Sequence, residues 1–334
     1  MHNMHNRNGT NIIIYYDKHT KVFYNCIIMG IKNFFKFIEK YAPESIKQKK
    51  IKDYENTSIG IDFNLMIYKL IYSIRKNGYD ITNNDKIVTH IHALLLKLIS
   101  FKEHKINAIF VFDGKFPVIK SKVISDRKKM WQKLNEKYKS AKTEEQKKKY
   151  FYVKSDVTDK ELEDCKQLIL IFGYNVIVAP EEADAQLAHM SKNNIINYIA
   201  SDDTDILLFG GERLLKNFSV SKSKWIIEID LEILKNALDF SQNDLIKLGV
   251  LLGSDYCDNS PISINKAYKV LKGMEISDIE NQCNGAIKYF KKPLVSNIKK
   301  LPSENKINID KLYEFLKDHD YTDEYIEKLL FKIY

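Results

Sequence analysis

The stretch NVIVAPEEADAQLAHMSKNNIINYIASDDTDILLFG, residues 175–210, contains two short apolar runs typical of buried strands, residues 176–178 and 196–200. Ligands of open α/β sheets bind outside the carboxyl ends of the strands. Each run leads directly into acids, which are Glu181, Glu182 and Asp184 after the first and Asp202, Asp203 and Asp205 after the second. Six crowded carboxylates repel one another, so the stretch predicts a bound cation, most simply Mg²⁺. The alternative is that these acids are helix caps and solvated turns.

Length and composition indicate a globular protein. With 334 residues, 44% hydrophobic and 12% aromatic, the chain can bury a large core in one big domain or two. No apolar run reaches the ~18 residues that a membrane helix needs, and no signal-peptide pattern is present. The cysteines form no CxxC pair, so neither a zinc site nor a disulfide framework is expected. We therefore expect an intracellular protein, without distinguishing the nucleus from the cytoplasm.

One segment holds the whole basic excess of the chain. The net charge is +9, and residues 115–154 carry 14 Lys and Arg against 4 Asp and Glu, which leaves 39 basic and 40 acidic residues elsewhere. This asymmetry suits a polyanion that is held by one part of the protein and cut with metal ions at another. A solvated helical face would give the same pattern.

Strands and helices alternate along the chain, which predicts a mostly parallel, doubly wound α/β sheet. Two further strands, residues 58–62 and 108–112, also end in acids, Asp62 and Asp113. Helices are predicted at residues 64–75, 87–101, 158–172, 242–252 and 265–271, a late strand at 225–229, and two short helices after residue 308. The basic segment is helical in composition, is interrupted near Thr143, and should overhang the carboxyl end of the sheet as an arch.

These residues suit phosphodiester hydrolysis, which two divalent ions ~4 Å apart can promote. Carboxylates without a histidine cluster are the ligands that Mg²⁺ prefers. Asp203 and Asp205 share a face if their segment is extended. Glu182 and Asp184 should lie in the opening turn of a helix. Asp255, in the motif GSDYC, is a seventh candidate ligand.

Cationic and aromatic side chains could handle the substrate. Lys120 and Arg127 lie seven residues apart on one helical face and are candidates to contact the scissile phosphate; Tyr68 could stack on a base, or simply pack.

Residues 1–28 differ from the rest, with three of the eight histidines, and a helical pattern starts at Met29. We expect residues 1–28 to be dispensable or absent from the native protein.

Seven motifs now point to a known family, and the resemblance covers residues 29 to about 334. They are MGIKNFFKFI from Met29, APESIKQKKIKDY from Ala42, IGIDFNLMIYKLI from Ile59, VFDGKFPVIKSKVISDR from Val111, APEEADAQLA from Ala179, ASDDTDILLFG from Ala200 and LLGSDYC from Leu251. On these motifs the chain resembles the flap endonucleases, the structure-specific 5′ nucleases of DNA replication, repair and recombination.

The resemblance implies a PIN-like, resolvase-like sheet with flanking helices, a basic helical arch and a C-terminal helix-hairpin-helix region. It implies a nuclease domain over residues 29–334, with parts 29–114, 115–157, 158–240 and 241–334. It also implies an enzyme that cuts 5′ flaps and junctions of DNA, has 5′–3′ exonuclease capacity, and leaves a 5′-phosphate and a 3′-hydroxyl. Two Mg²⁺ ions, replaceable by Mn²⁺, would serve as cofactors, and the protein would act as a monomer.

The resemblance also assigns roles to residues. The metal ligands would be Asp62, Asp113, Glu182, Asp184, Asp203, Asp205 and Asp255, with Asp184 standing where the family usually has Glu. Asp202 lies beside its motif and is not expected to be a ligand. The catalytic cations would be Lys120 and Arg127, and the substrate would be bound by Tyr68, Arg75 and Gly30.

Two departures from the family pattern matter. The helical hairpin turn DNSPISINKA has Pro261 and Ser263 where the family has glycines, which puts K⁺ binding and the grip on duplex DNA in question. The chain reaches Tyr334 without a glutamine-and-aromatic sliding-clamp motif, so recruitment by that route is not expected.

Three rival functions remain open on the sequence. One is a non-catalytic DNA-junction scaffold with the same fold. Another is a phosphatase with an aspartate nucleophile, which would need no basic arch. The third is a nuclease that is mainly exonucleolytic or that acts on RNA flaps, since the choice between DNA and RNA depends on contacts to the 2′ position.

Overall fold

The computed structural model describes residues 31, 33–155, 157–257, 260–274, 279–303 and 305–333. Two predictions concern residues outside the described ones: that residues 1–28 are dispensable or absent, and that Gly30 binds the substrate. The strands are β1 (Ile46–Lys49), β2 (Ser58–Asp62), β3 (Thr82–Asn83), β4 (Lys86–Ile87), β5 (Asn107–Phe112), β6 (Asn175–Val178), β7 (Tyr198–Ala200), β8 (Arg213–Lys216) and β9 (Ile226–Asp230).

Fifteen α-helices are found in the described ranges. They are α1 (Phe34–Tyr41), α2 (Phe63–Arg75), α3 (Thr89–Glu103), α4 (Ser121–Lys139), α5 (Glu144–Tyr150), α6 (Asp159–Ile171), α7 (Ala183–Lys192), α8 (Asp205–Leu208), α9 (Leu231–Leu238), α10 (Gln242–Leu252), α11 (Ile264–Leu271), α12 (Ile279–Gln282), α13 (Asn284–Lys291), α14 (Ile309–Asp318) and α15 (Asp323–Ile333). Short 3₁₀ turns cover Pro43–Ser45, Ile51–Tyr54, Val118–Lys120 and Phe151–Ser155. No helix of this described part is long and apolar enough to span a bilayer.

Seven strands form one sheet in the order β1-β9-β8-β7-β2-β5-β6, and β3 and β4 form a separate hairpin. The five strands from β8 to β6 are parallel, whereas β9 pairs antiparallel with both β8 and β1. The predicted mostly parallel α/β sheet is confirmed. Because β2, β5, β6 and β7 run side by side in one direction, the acids that follow them lie at one edge.

Side chains alternate between two cores on opposite faces of the sheet. In β5, Ile109 and Val111 join the core beneath α1, α7 and α10, whereas Ala108, Phe110 and Phe112 join the core beneath α2, α3 and α6. The basic segment contacts α2 through a small aromatic cluster, in which the Tyr72 and Tyr152 ring centroids lie 5.6 Å apart. Helix α4 itself buries no residue.

The sequence missed several elements and one covalent link. Strands β1 and β8, the β3–β4 hairpin and helix α9 were not predicted, although α10 has its predicted bounds. No disulfide framework was expected, and the structure has one disulfide that the sequence did not indicate, between Cys257 and Cys283, with Cα atoms 5.6 Å apart. The four-part domain division stays a prediction, and strands from residues 29–114 and 158–240 share the one sheet.

Candidate active site

Asp62 and Asp203 are joined by a serine at the central strands. Asp62 ends β2 and caps α2, and its Oδ1 accepts a hydrogen bond from Leu65 N at 3.1 Å. Ser201 follows β7 and donates its hydroxyl to Asp62 Oδ2 at 3.0 Å, while Asp203 N donates to Ser201 Oγ at 3.1 Å. The serine therefore ties the carboxyl ends of two neighbouring parallel strands together.

The turn after β7 is not extended. Asp205 opens the short helix α8, and its backbone N donates to Asp203 Oδ1 at 2.9 Å. The geometry under which the two acids would share an extended face is therefore not found. Asp205 Oδ1 accepts from the backbone N of Ile31 at 3.1 Å, which brings the start of the described chain to the site.

Asp113 reaches the opening turn of α7 because a glycine follows it. A Cβ on Gly114 would stand 2.0 Å from the carbonyl oxygen of Ala179, so only glycine permits this approach. Gly114 N donates to the Glu181 carbonyl at 2.6 Å, and Asp113 Oδ1 accepts from Ala183 N at 2.9 Å. Asp113 thus satisfies a free amide at the start of α7, beside Glu182 at the N-cap position and Asp184 in the first turn.

Two cations of the basic segment enter the carboxylate cluster. Lys120, 9% exposed, donates its ammonium to Glu182 Oε1. Arg127 Nη2 donates to Asp255 Oδ2 at 3.0 Å. The basic segment therefore places two positive charges against the carboxylates, and the structure brings both predicted cations to the predicted acids.

The carboxylates are buried or half-buried, and they repel one another. Burial first, and Asp113 next, raise the pKa of Asp62 to about 7. Burial, then Asp203 and Asp62, raise the pKa of Asp184 well above its ordinary range. Burial, then Asp203 and Asp255, do the same for Asp205.

The other acids of the cluster shift in the same direction. Burial raises the pKa of both Asp113 and Asp203, and it raises that of Asp255 to about 6 although Lys120 and Arg127 oppose the change. Burial alone would lower the pKa of Lys120, but Glu182, Asp205 and Asp255 outweigh it, and the pKa is raised. Negative charge is in excess at this edge even with both cations present.

The residues fit a hard divalent ion. Asp184 Oδ1 and Asp205 Oδ2 are buried oxygens without a hydrogen-bond partner, and carboxylate oxygens are the donors that Mg²⁺ and Mn²⁺ prefer. As the side chains stand, no three His, Cys, Asp or Glu of the described ranges converge on one coordination point. Lys120 instead lies among them, paired with Glu182. An ion that ligates Glu182 Oε1 would therefore take the place of this ammonium.

Three predicted residues lie apart from the carboxylates or outside the described part. Tyr68 is half-buried on α2 and packs against the core beneath α2, α3 and α6. Arg75 is 4% exposed at the far end of α2, where its Nε lies 2.6 Å from Asp80 Oδ1. Gly30 is not described. Asp202 pairs with Lys69 and accepts from Asn217 N at 2.6 Å, and its exclusion as a ligand stays a prediction.

Sequence reasoning missed three hydroxyls that orient the site. One is Ser201, and the other two are phenols on Glu182: Tyr256 donates to Glu182 Oε2, and Tyr289 Oη lies 3.5 Å from the same oxygen. Tyr256 follows Asp255 in the motif LLGSDYC, so its position was a signal. Nothing in the sequence around Tyr289 indicated its place. Lys69 and Lys216 are half-buried nearby, and loss of solvent around them lowers their pKa to about 7 and about 8.

Comparisons with known proteins show what the whole chain is similar to. Residues 29–134 match the XPG N-terminal domain, and residues 173–255 match the XPG I-region. Flap endonuclease 1 of Monosiga brevicollis is 32% identical over 250 residues, which cover 73% of this chain and 68% of that protein. Flap endonuclease 1 of Theileria parva is 31% identical over 326 residues, which cover 91% of this chain and 65% of that protein, so the chain spans slightly less than two thirds of it.

Solved structures share the fold. The catalytic core of Rad2 in complex with a DNA substrate superposes with a TM-score of 0.69 at 21% identity, covering 91% of this chain and 100% of that one.

Proposed function

The chain belongs to the flap endonuclease family, and we propose that it is a divalent-metal-dependent nuclease that cuts DNA at 5′ flaps and single-strand/double-strand junctions. The products would be a 5′-phosphate and a 3′-hydroxyl, with some 5′–3′ exonuclease activity. The observation that supports this most is the meeting of strand-end carboxylates with Lys120 and Arg127 of one basic segment. A crowd of acids alone would serve many metal proteins; the two cations add a place for a phosphate.

Metal ions would be held by the seven strand-end and loop acids. Divalent ions supply an activated water and neutralise charge on the attacking and leaving oxygens. The proposed ligands are Asp62, Asp113, Glu182, Asp184, Asp203, Asp205 and Asp255. Mg²⁺ is the expected ion, with Mn²⁺ able to replace it, because all these donors are hard oxygens. A K⁺ ion at the hairpin near Pro261 is not part of the proposal.

The chain's own cations would act on the phosphate. Arg127 can present two N–H groups to phosphate oxygens in a planar fork, while Lys120 offers a point charge at the wall of the site. Both are engaged by carboxylates in this structure, so an arriving phosphodiester and its ions would exchange partners with them. Charge that develops on the phosphate would then meet positioned donors.

DNA would be gripped along the basic segment. Lys128, Lys129 and Lys133 are exposed on α4, which has no buried residue. Binding should therefore depend strongly on salt, because phosphates that pair with lysines release counterions. Tyr68 could stack on a base near the junction, although it is half-buried here.

The test is cleavage of a 5′-labelled flap substrate by the full chain, with Mg²⁺ or with EDTA. We expect cleavage at the junction with Mg²⁺ only, and at least ~100-fold slower cleavage by Asp203→Asn, as for other catalytic groups that stabilise transition-state charge. The matched control is Asp310→Asn, an exposed aspartate in the first turn of α14. A parallel RNA flap identifies the preferred sugar.

Two results would contradict the proposal. One is junction binding without cleavage under any divalent ion, which would favour the scaffold function. The other is equal cleavage by wild type and Asp203→Asn.

A further inference from the structure

Glu182 is the most heavily engaged carboxylate of the site. Its Oε1 pairs with the Lys120 ammonium, and its Oε2 accepts from the Tyr256 phenol. A second phenol, Tyr289, lies 3.5 Å from Oε2 and donates to Glu181 Oε2 at 2.9 Å. The two oxygens of one carboxylate are thus separated, with a cation on one and phenols on the other.

The two phenols form a rigid unit. Tyr256, 4% exposed, and Tyr289 stack with ring centroids 5.0 Å apart and planes inclined by 30°. Phe209 contacts both rings edge-on, at 6.2 and 5.9 Å. Aromatic pairs in such offset and edge-on arrangements restrain one another. The hydroxyls are therefore fixed by packing, independently of the carboxylate they contact.

The phenols come from two segments that a disulfide links. Tyr256 lies in the turn after α10, next to Cys257, and Tyr289 lies on α13, whose N-cap is Cys283. The Cys257–Cys283 bond joins the two segments. Glu182 itself is only the N-cap of α7 and makes no side-chain hydrogen bond to that helix. The direction of its side chain is therefore set from outside its own helix.

We propose that Tyr256 and Tyr289 are positioning residues that hold Oε2 of Glu182, so that this glutamate offers Oε1 alone to a divalent ion. The inference rests on the proposed function, since it takes Glu182 as a metal ligand. Ligation through Oε1 leaves the Tyr256 hydrogen bond to Oε2 in place and needs only Lys120 to withdraw. Lys120 Nζ lies 4.4 Å from the centroid of the Tyr256 ring, which could keep the ammonium close after it leaves.

The phenols should matter for ion affinity rather than for the fold alone. Hydrogen-bonding partners of metal-ligating carboxylates typically contribute 10–100-fold to metal affinity or activity. Replacement of Tyr by Phe keeps the aromatic stack and removes one donor. Tyr289 is partly exposed, so Tyr289→Phe should fold, while Tyr256→Phe leaves a more deeply buried change.

The experiment titrates Mn²⁺ into the DNA-free full chain and measures bound Mn²⁺ by electron paramagnetic resonance. We expect Tyr289→Phe and Tyr256→Phe each to weaken Mn²⁺ binding by about tenfold, and the Mg²⁺ concentration for half-maximal cleavage to rise in parallel while KM for DNA is unchanged. Tyr313→Phe is the matched control, because Tyr313 also donates to a carboxylate, Asp323 at 2.6 Å, on the protein surface.

Unchanged or tighter Mn²⁺ binding by Tyr289→Phe overturns the proposal, whatever Tyr256→Phe does. An equal loss in Tyr313→Phe also overturns it, because the effect would then be unspecific. Mn²⁺ binding is measured without a nucleic acid, so a protein that binds Mn²⁺ as expected but cuts no flap refutes the proposed function and leaves this inference standing.

Discussion

Helix α2 (Phe63–Arg75) has an ionic cluster at each end, and the two clusters differ in their balance of positive and negative charge. At the N-terminal end, Asp62 joins a group of carboxylates in which negative charge exceeds positive charge. At the C-terminal end, Arg75 Nε lies 2.6 Å from Asp80 Oδ1, which also accepts from Thr89 Oγ1 at 2.9 Å. Thirteen helical residues, about 20 Å, separate the two.

The contrast distinguishes a structural cluster from a functional one. In the Arg75 cluster, a rigid guanidinium faces carboxylates directly, with Glu161 at 4.0 Å from Nη2. A buried ion pair of this kind destabilises the protein chiefly when one of its two partners is removed. In the Asp62 cluster, buried oxygens of Asp184 and Asp205 lack a hydrogen-bond partner. Excess buried charge opposes folding unless a ligand compensates it, so removal of one acid should help the metal-free fold and harm the function.

The largest effect is expected from Asp205→Asn. The new amide keeps an acceptor for Ile31 N and removes a charge whose pKa burial, Asp203 and Asp255 raise. Flap cleavage should fall at least ~100-fold, while urea unfolding with EDTA at pH 7.5 should show a metal-free protein more stable by about 1 kcal/mol or more. Mg²⁺ should stabilise wild type more than the variant.

Asp310→Asn is again the control, and it should change neither quantity much. If metal-free Asp205→Asn is less stable than wild type, the Asp62 cluster has no excess of negative charge. The two ends of α2 would then not differ in their charge balance.

Arg75→Gln should have the opposite profile. It leaves Asp80 and Glu161 without their guanidinium, and breaking a buried ion pair typically costs about 3–5 kcal/mol of stability. Cleavage by the folded fraction should stay within a few-fold of wild type. Urea unfolding and single-turnover cleavage at 10 °C measure the two effects, with Arg213→Gln, an exposed arginine of β8, as control.

The sequence-based prediction for Arg75 was DNA contact, and this variant separates the alternatives. A DNA-contacting arginine would lower flap affinity and leave the free energy of unfolding nearly unchanged. That outcome would contradict a structural role for the Arg75 cluster.

The strand-end acids were predictable because their signal is local. Asp62 and Asp113 each follow an apolar run that fits a buried strand, and parallel strands bring such ends to one edge without further information. Tyr289, which contacts Glu182, and Glu161, which faces Arg75, were not predictable, because each comes from a distant segment. Tyr289 lies 107 residues from Glu182, and Glu161 lies 86 residues from Arg75.

The edge strand β1 and the disulfide were not predicted for the same reason. Strand β1 is identified by its antiparallel pairing with β9, some 180 residues away, rather than by its own polar sequence IKQK. The Cys257–Cys283 bond depends on how the turn after α10 meets α13, which no spacing of cysteines encodes. Asp203 and Asp205 would share a face only in an extended segment, whereas Asp205 N donates to Asp203 Oδ1 and Asp205 opens the helix α8.

The Arg75 cluster extends to a histidine that makes it sensitive to pH. Glu161 Oε1 lies 3.6 Å from His90 Nδ1, and Asp164 Oδ2 lies 3.4 Å from His90 Nε2 and 3.7 Å from His319 Nε2. Burial lowers the pKa of His90, although Glu161 and Asp164 oppose the change. The folded state therefore binds this proton less readily than the unfolded chain does.

The smallest predicted effect follows from that sign. A folded-state pKa below the unfolded value, ordinarily about 6.5, means that stability is complete above pH 6.5 and is lost as pH falls towards the folded pKa. Each pH unit in this window removes at most about 1.4 kcal/mol. The free energy of unfolding of wild type minus that of His90→Gln should therefore decrease from pH 7.5 to pH 5.5 in urea titrations, with His189→Gln giving the baseline. The subtraction cancels the titration of the Asp62 cluster, which changes stability in the opposite direction. If the difference stays constant or rises as the pH falls, Glu161 and Asp164 hold a protonated His90. The Arg75 cluster would then accommodate a further positive charge.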